Sequence, residues 1–425
     1  MALSTTTLRA RLVLPIAGPA IENGAVQVRG SHIVAVGRWG DLAANSQKTS
    51  DLGEVVLLPG LVNAHCHLDY TDMAGHFQSP KVFTDWLKQI TSTKAGWDLA
   101  DYTASWLRGA EMLVRTGTTT VADIEAVPQL LPKMWNSTPL RIISFLEMIG
   151  ITGRRSPRAV LQEILDKIAS LDHARSRPGL SPHAPYSTLP ELLRLSARMA
   201  RRRHWRLCIH VAESALEFAM FSQGSGEMFD WLRRSGRDMS DCGQGSPIRH
   251  LERFRVLNDN LLVAHVNYLG HADAGLLGRR GVSVVHCPRS HSYFRHDPFQ
   301  WRRLARARVN ICLGTDSLAS VEATRRHPAE LNMFEEMRGL ARREPGLSSK
   351  RILRMVTVNG ARALGLGGKV GELRAGAFAD LIVLPWQGKN SQVYDAVLHH
   401  KGEVAASLIG GKWAIAPEGR SATVG

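Results

Sequence analysis

The 425-residue sequence predicts an α/β fold: a (β/α)8 barrel accompanied by a small β-sandwich assembled from both chain ends. Eight apolar runs bounded by Gly, Pro or Asp recur through the middle of the chain, and most are followed by helix-period segments. Both chain ends carry short alternating runs punctuated by Gly. The implied division is 1–56 for the first part of the sandwich, 57–368 for the barrel and 369–425 for the second part.

Taken in order, IENGAVQVRGSHIVAVGRWGDL alternates with the period of a strand and turns at Gly, as sandwich strands do. The barrel strands are then LLPGLVNAHCH (57–67), TTTVADI (118–124), RIISFLEMIG (141–150), GLSPHAP (179–185), RLCIHVAES (206–214), LLVAHVNYL (261–269), VSVVHCPRS (282–290) and VNICLGTDS (309–317). Helix-like stretches such as ADYTASWLRGAEMLVRTG and SPRAVLQEILDKIASLD lie between them, so the strands run parallel. The links after the first and fifth strands are the long ones, and long loops at a barrel mouth form lids or substrate walls. GELRAGAFADLIVLPWQG and EVAASLIGGKWAIAP complete the sandwich.

Composition narrows the function classes. With 44% hydrophobic and 21% charged residues the chain is globular, and no apolar window reaches the roughly 18 residues of a membrane span. Five cysteines without a CxxC pair fit reduced thiols, so the expected location is the cytoplasm and the expected role of the thiols is packing. The net charge of +15 would suit nucleic acid, acidic lipid or an anionic substrate, but the arginines are dispersed on amphipathic segments. No aromatic and basic interleaving accompanies them, so neither nucleic acid nor membrane is expected as a partner.

Ionisable residues end the barrel strands: His65, His67, Glu147, His183, His210, Glu213, His265, His286 and Asp316. In a closed barrel all these ends face one mouth, so residues far apart in sequence converge there. His65 and His67 stand at i and i+2 and share one side of a strand, with Cys66 between them turned the other way. With His210 and Asp316 they make three imidazoles and one carboxylate, a set that suits Zn²⁺ or Fe²⁺ with a position left for water. A bound ion lowers the pKa of such a water from 15.7 to about 7. Glu213, three residues after His210, is the candidate proton carrier; its alternative role is an acid at a helix N-terminus. His265 is a candidate for steadying developing negative charge, or else a core histidine.

The ordered set PGLVNAHCHLD, SPHAPYS, HVAES, AHVNY, VVHCPRSH and GTDS resembles the metal-dependent amidohydrolase superfamily, and within it the branch of deaminases and chlorohydrolases. The resemblance covers nearly the whole chain. It implies that His65, His67, His210 and Asp316 are metal ligands, Glu213 the proton shuttle, His265 the group polarising water or substrate, and Asp316 also a base toward the water. Binuclear members carry a carboxylated lysine on a middle strand; GLSPHAP offers none, which implies one divalent transition metal, Zn²⁺ before Fe²⁺.

The stretches FTDWL, FLEMIG, SPHAPYS and HCPRSHSYF resemble aminodeoxyfutalosine deaminases, with S-adenosylhomocysteine and methylthioadenosine deaminases close behind. They imply Trp86, Glu147 and His183 as substrate contacts. Arg289 and Arg154, with Arg155, are candidate partners of an anionic substrate group, or else surface charges. Two positions depart from the pattern: Thr84 stands where relatives carry a ribose-binding acid, and His291 where many carry Asn. The expected activity is deamination of an amine-bearing purine nucleoside derivative with release of ammonia. The alternatives are a chlorohydrolase, a deaminase of guanine, cytosine or another ring, and a silent metal-binding scaffold. A homodimer is left open.

Overall fold

The computed structural model describes residues 4–79, 82–171, 174–324 and 328–418. The N-terminal segment supplies β1 (Thr5–Val13), β2 (Ile21–Arg29), β3 (His32–Arg38), β4 (Lys48–Asp51) and β5 (Val55–Pro59). The middle supplies β6 (Leu61–Cys66), β7 (Thr118–Glu125), β8 (Arg141–Met148), β9 (Arg177–Pro182), β10 (Leu207–Val211), β11 (Leu261–His265), β12 (Ser283–His286) and β13 (Asn310–Leu313). The C-terminal segment adds β14 (Leu381–Pro385), β15 (Ala406–Ile409) and β16 (Lys412–Ile415).

Strands β6 to β13 pair in sequence order, each parallel to the next, as the eight apolar runs predict. The barrel closes between β13 and β6 through side chains and one bridge rather than a regular ladder. Asn63 Nδ2 donates to Thr315 Oγ1 at 2.8 Å, Thr315 N to Asn63 Oδ1 at 3.1 Å, and Asp316 N to His65 O at 3.1 Å. Val62, Phe145, Cys208, Leu262, Val285 and Cys312 fill the barrel interior, while Cys66 packs with Leu68 and Trp106 in a separate cluster. All five thiols are free and buried.

The remaining strands form one sheet in the order β16, β15, β14, β5, β1, β2, β3, with β4 beside β1. Its apolar face encloses Leu8, Val26, Ile33, Leu57, Leu381 and Leu408. The ends of this order meet again, because the Gly410–Gly411 turn lies against Gly30 and Ser31. The chain ends thus build one folded layer pair, as the alternating runs predict.

One boundary differs from the sequence reading. The run expected as a single strand over 57–67 is two strands, β5 in the end sheet and β6 in the barrel, so the end sheet reaches past residue 56. Gly60 makes the switch: its N–H donates to Asp380 O, and the next N–H, of Leu61, donates to Gly117 O. A Cβ at Gly60 would lie 2.1 Å from Thr119, so only glycine allows the chain to pass β7 this closely.

Candidate metal centre

The mouth is built from the C-terminal ends of the barrel strands and roofed by the helix Phe83–Ala95 in the long link after β6. That helix turns Trp86, Leu87, Ile90, Thr91 and Lys94 toward the cavity, positions spaced at one helical face. His65, His67, His210 and Asp316 converge beneath it. His65 Nε2 and His67 Nε2 each lie 3.6 Å from Asp316 Oδ1, and His67 Nε2 lies 3.3 Å from His210 Nε2.

These spacings test whether the residues suit an ion. A tetrahedral centre with bonds of about 2.0–2.1 Å separates its ligands by about 3.3–3.4 Å, close to the distances observed. His65 Nε2 is buried with no hydrogen-bond partner, as a nitrogen reserved for a metal would be. His210 donates from Nδ1 to His183 O at 3.0 Å, which leaves the Nε2 lone pair facing the cluster. The donor set fits a divalent transition metal.

Electrostatics agree. Burial, reinforced by neighbouring imidazoles, pushes His67 and His210 well below the usual histidine range, so both are neutral and able to ligate. Burial opposes the charge of Asp316, but the imidazoles of His65, His265 and His67 around it overcome that and hold the carboxyl well below the usual range. Ser320 Oγ donates to Asp316 Oδ2 at 3.0 Å and fixes the carboxylate.

Glu213 and His265 stand beside this cluster, with His265 Nε2 3.6 Å from Glu213 Oε1. Burial, with Asp316 and Glu217 adding negative field, raises Glu213 well above the usual carboxylate range and so favours its protonated form. Burial lowers His265 to about 3, leaving a neutral ring whose Nε2 has no partner. The helix expected to follow Glu213 begins at Ala215, capped by the Ser214 side chain.

The local backbone is strained. Ala212 (φ 51°), His265 (φ 72°), Val266 (φ 49°) and Asp316 (φ 56°) all occupy the left-handed region without being glycine. Each such residue costs about 1–3 kcal/mol and needs its surroundings to hold it. Glu217 does so at Ala212 and Glu213: its buried carboxylate accepts from both backbone N–H groups at 2.9 Å. On the other side Asn267 Nδ2 donates to Glu213 O at 2.9 Å, while His291 Nδ1 bonds Asn267 Oδ1 at 3.0 Å. Sequence reasoning missed Glu217 and Asn267, although the first stands four residues after Glu213 and the second two after His265.

Among the expected substrate contacts, Trp86, Glu147 and His183 line the cavity. Trp86 Nε1 donates to Ala319 O at 3.1 Å, and His183 is set by Ser187 Oγ at 2.6 Å and faces Glu147 at 4.0 Å. Arg289 does not reach the cavity. Its guanidinium pairs with the buried Glu336 and donates to Glu330 O, so its charge is neutralised within the fold. Arg154 is exposed on a neighbouring cavity, and Arg155 pairs with Glu163 at the surface. Thr84 bonds the Glu227 carboxylate, whereas Asp85 points outward to Lys88. Two further wall residues were not foreseen: Tyr70 stacks on His67 with ring centroids 5.3 Å apart, and the Lys94 ammonium contacts the Tyr70 hydroxyl.

Residues 56–414 match the model of the amidohydrolase family. A 5-methylthioadenosine/S-adenosylhomocysteine deaminase of Syntrophobacter fumaroxidans is 31% identical over 91% of this chain and 86% of its own. An aminodeoxyfutalosine deaminase of Deinococcus radiodurans is 29% identical over 84% of this chain and 85% of its own. Among solved structures, an adenosine deaminase from Xanthomonas campestris with bound zinc superposes with a TM-score of 0.81 at 26% identity, covering 97% of this chain and 93% of that one. The matched span takes in the whole barrel, and the chain belongs to the amidohydrolase family, divalent-metal-dependent hydrolases of carbon–nitrogen bonds.

Proposed function

We propose that this enzyme hydrolyses the exocyclic amine of an adenosine-type nucleoside, using one divalent metal, zinc before iron. The observation that carries the reading is the convergence of three imidazoles and the Asp316 carboxylate beside the buried Glu213. The names of the relatives support the substrate class. His65, His67, His210 and Asp316 would hold the ion, which when bound makes a water nucleophilic at neutral pH.

The chain's own groups then handle the protons. Glu213 donates to a ring nitrogen of the base, drawing electrons from the carbon that bears the amine. Asp316 takes one proton from the attacking water and passes it to the amine as ammonia leaves. Glu213 recovers its proton from the new hydroxyl, so the site ends as it began. Neutral His265, buried with its Nε2 unpartnered, hydrogen-bonds the oxygen as charge develops on it. Trp86, Glu147 and His183 would orient the nucleoside. Five free buried thiols suit a reducing cytoplasm, and no described helix is long and apolar enough to cross a membrane.

Ammonia release from adenosine derivatives tests the reading. Glu213→Gln should lower kcat by about 10²–10⁴-fold with metal content unchanged; wild-type turnover in that variant would remove Glu213 from its role.

A further inference from the structure

A pocket of about 140 Å³ shares no wall residue with the catalytic cavity. It lies between the end of β12, the helix Pro288–Tyr293 and the C-terminal end of the helix Met333–Arg343, and its wall includes His286, His291, Phe299, Leu340, Arg343 and Glu344. Sites that enclose drug-sized molecules run about 300–1,000 Å³, so this one suits an ion or a molecule of a few heavy atoms.

Its polar groups are left unmatched. His286 and His291 are buried, and neither His286 Nδ1 nor His291 Nε2 has a hydrogen-bond partner. The bonds of Asn267 fix the character of the second atom. Asn267 Nδ2 donates to Glu213 O, so Asn267 presents Oδ1 to His291, whose Nδ1 carries the hydrogen. Burial lowers His291 to about 3 and, reinforced by the His291 ring, holds His286 well below the usual histidine range. Both rings are therefore neutral, and His291 Nε2 is a bare lone pair. Phe299 stacks on the His286 ring with centroids 3.9 Å apart, which keeps that ring from turning to find a partner elsewhere. Glu344 adds a carboxylate, whose Oε2 accepts from Trp301 Nε1 at 2.7 Å. Among these acceptors stands one cation, the exposed Arg343, which makes no ion pair with a described carboxylate.

A ligand that satisfies this wall must donate a hydrogen bond to a lone pair and carry negative charge for the guanidinium. A protonated oxyanion does both, whereas a fully deprotonated one brings only acceptors and leaves the buried nitrogens unmet. We infer that this pocket is a regulatory site for a small protonated oxyanion, read out at Glu213 through His291 and Asn267. A donor on Nε2 polarises the imidazole and strengthens its Nδ1–H bond to Asn267, because hydrogen bonds in series reinforce one another. Asn267 in turn holds the Glu213 carbonyl at 2.9 Å, so occupancy steadies the backbone of the proposed proton carrier. Binding is independent of the nucleoside reading; only the readout rests on it.

Calorimetric titration of the metal-loaded enzyme with sodium phosphate near neutral pH tests this, with sodium sulfate as the anion of like shape that has no proton to donate. Phosphate should bind at one site. Sulfate should bind at least about tenfold more weakly, the loss expected where a buried acceptor is left without its donor. Arg343→Glu and His286→Phe should each weaken the phosphate site at least about tenfold, with phosphate-free ammonia release unchanged in both, which also shows that they fold. Saturating phosphate should raise kcat in the wild type and not in the variants, with KM unmoved. Equal binding of the two anions overturns the lone-pair argument, and heat that survives both substitutions places the anion at the metal centre and overturns the site. An unmoved kcat at saturation overturns the readout through Asn267. Phosphate binding to an enzyme that releases no ammonia from any adenosine derivative supports the site and refutes the deaminase.

Discussion

Replacing Glu217 by Gln tests how Glu213, the proposed proton carrier, is held. The Glu217 carboxylate is fully buried and accepts the N–H groups of Ala212 and Glu213, both at 2.9 Å. A glutamine amide has the same shape but accepts through one oxygen only, so one N–H would face an NH₂ group. An unsatisfied buried donor costs about 1–3 kcal/mol, the same size as the strain that this bond restrains at Ala212, where φ is 51°. Ala212 would relax and carry Glu213 with it. If that energy is lost from the transition state, kcat falls roughly 5- to 150-fold, while KM and metal content change little. The pH profile gives a second reading. Glu213 is raised by burial and then by the charges of Asp316 and Glu217, so activity that needs its proton declines as pH rises through that raised value. Removing the Glu217 charge should move the decline to lower pH. Ammonia release measured across pH provides both readouts, and a variant with wild-type kcat and an unmoved alkaline limb would refute the reasoning.

Two substitutions test other parts of the fold. Gly60→Ala places a methyl 2.1 Å from Thr119, with the Thr119 Cβ only 2.6 Å away, so no rotation of that side chain relieves the clash; denaturant melts should show a loss of about 1–3 kcal/mol. Cys66→Ala should leave metal stoichiometry intact, since the thiol packs with Leu68 and Trp106 rather than toward the histidines; loss of the ion in that variant would make Cys66 a ligand.

What could be read from sequence was whatever has a local period or a strand end. The eight barrel strands announce themselves as apolar runs, and His65, His67, His210, Glu213, His265 and Asp316 could be gathered because a barrel brings strand ends to one mouth. The split at Gly60 was hidden because apolar residues flank the glycine on both sides, Leu57 and Leu58 before it and Leu61 and Val62 after it. Arg289 was misplaced because its partner Glu336 lies 47 residues away, on a helix whose docking no local pattern reveals. Glu217 and Asn267 escaped notice because they act on backbone groups, and a side chain that holds a backbone carries no motif of its own chemistry.

The position of the site on the barrel follows from the same seam that closes it. Strands β13 and β6 are the last and the first of the barrel, and no regular ladder joins them at the mouth end. Asn63, Thr315 and the Asp316 N–H make the closure instead. Three of the four proposed ligands straddle that join: His65 lies near the end of the first strand, His67 just follows it, and Asp316 follows the last. An ion held there ties together residues some 250 positions apart in the sequence, so its binding energy adds to folding where the hydrogen-bonded sheet is weakest. The irregular join also leaves the Asp316 backbone free to adopt φ 56°, a conformation that continuous strand pairing would forbid and that turns its carboxylate toward the imidazoles. Closing the barrel with side chains thus exchanges ladder hydrogen bonds for a bend that places a carboxylate between two histidines of the opposite strand.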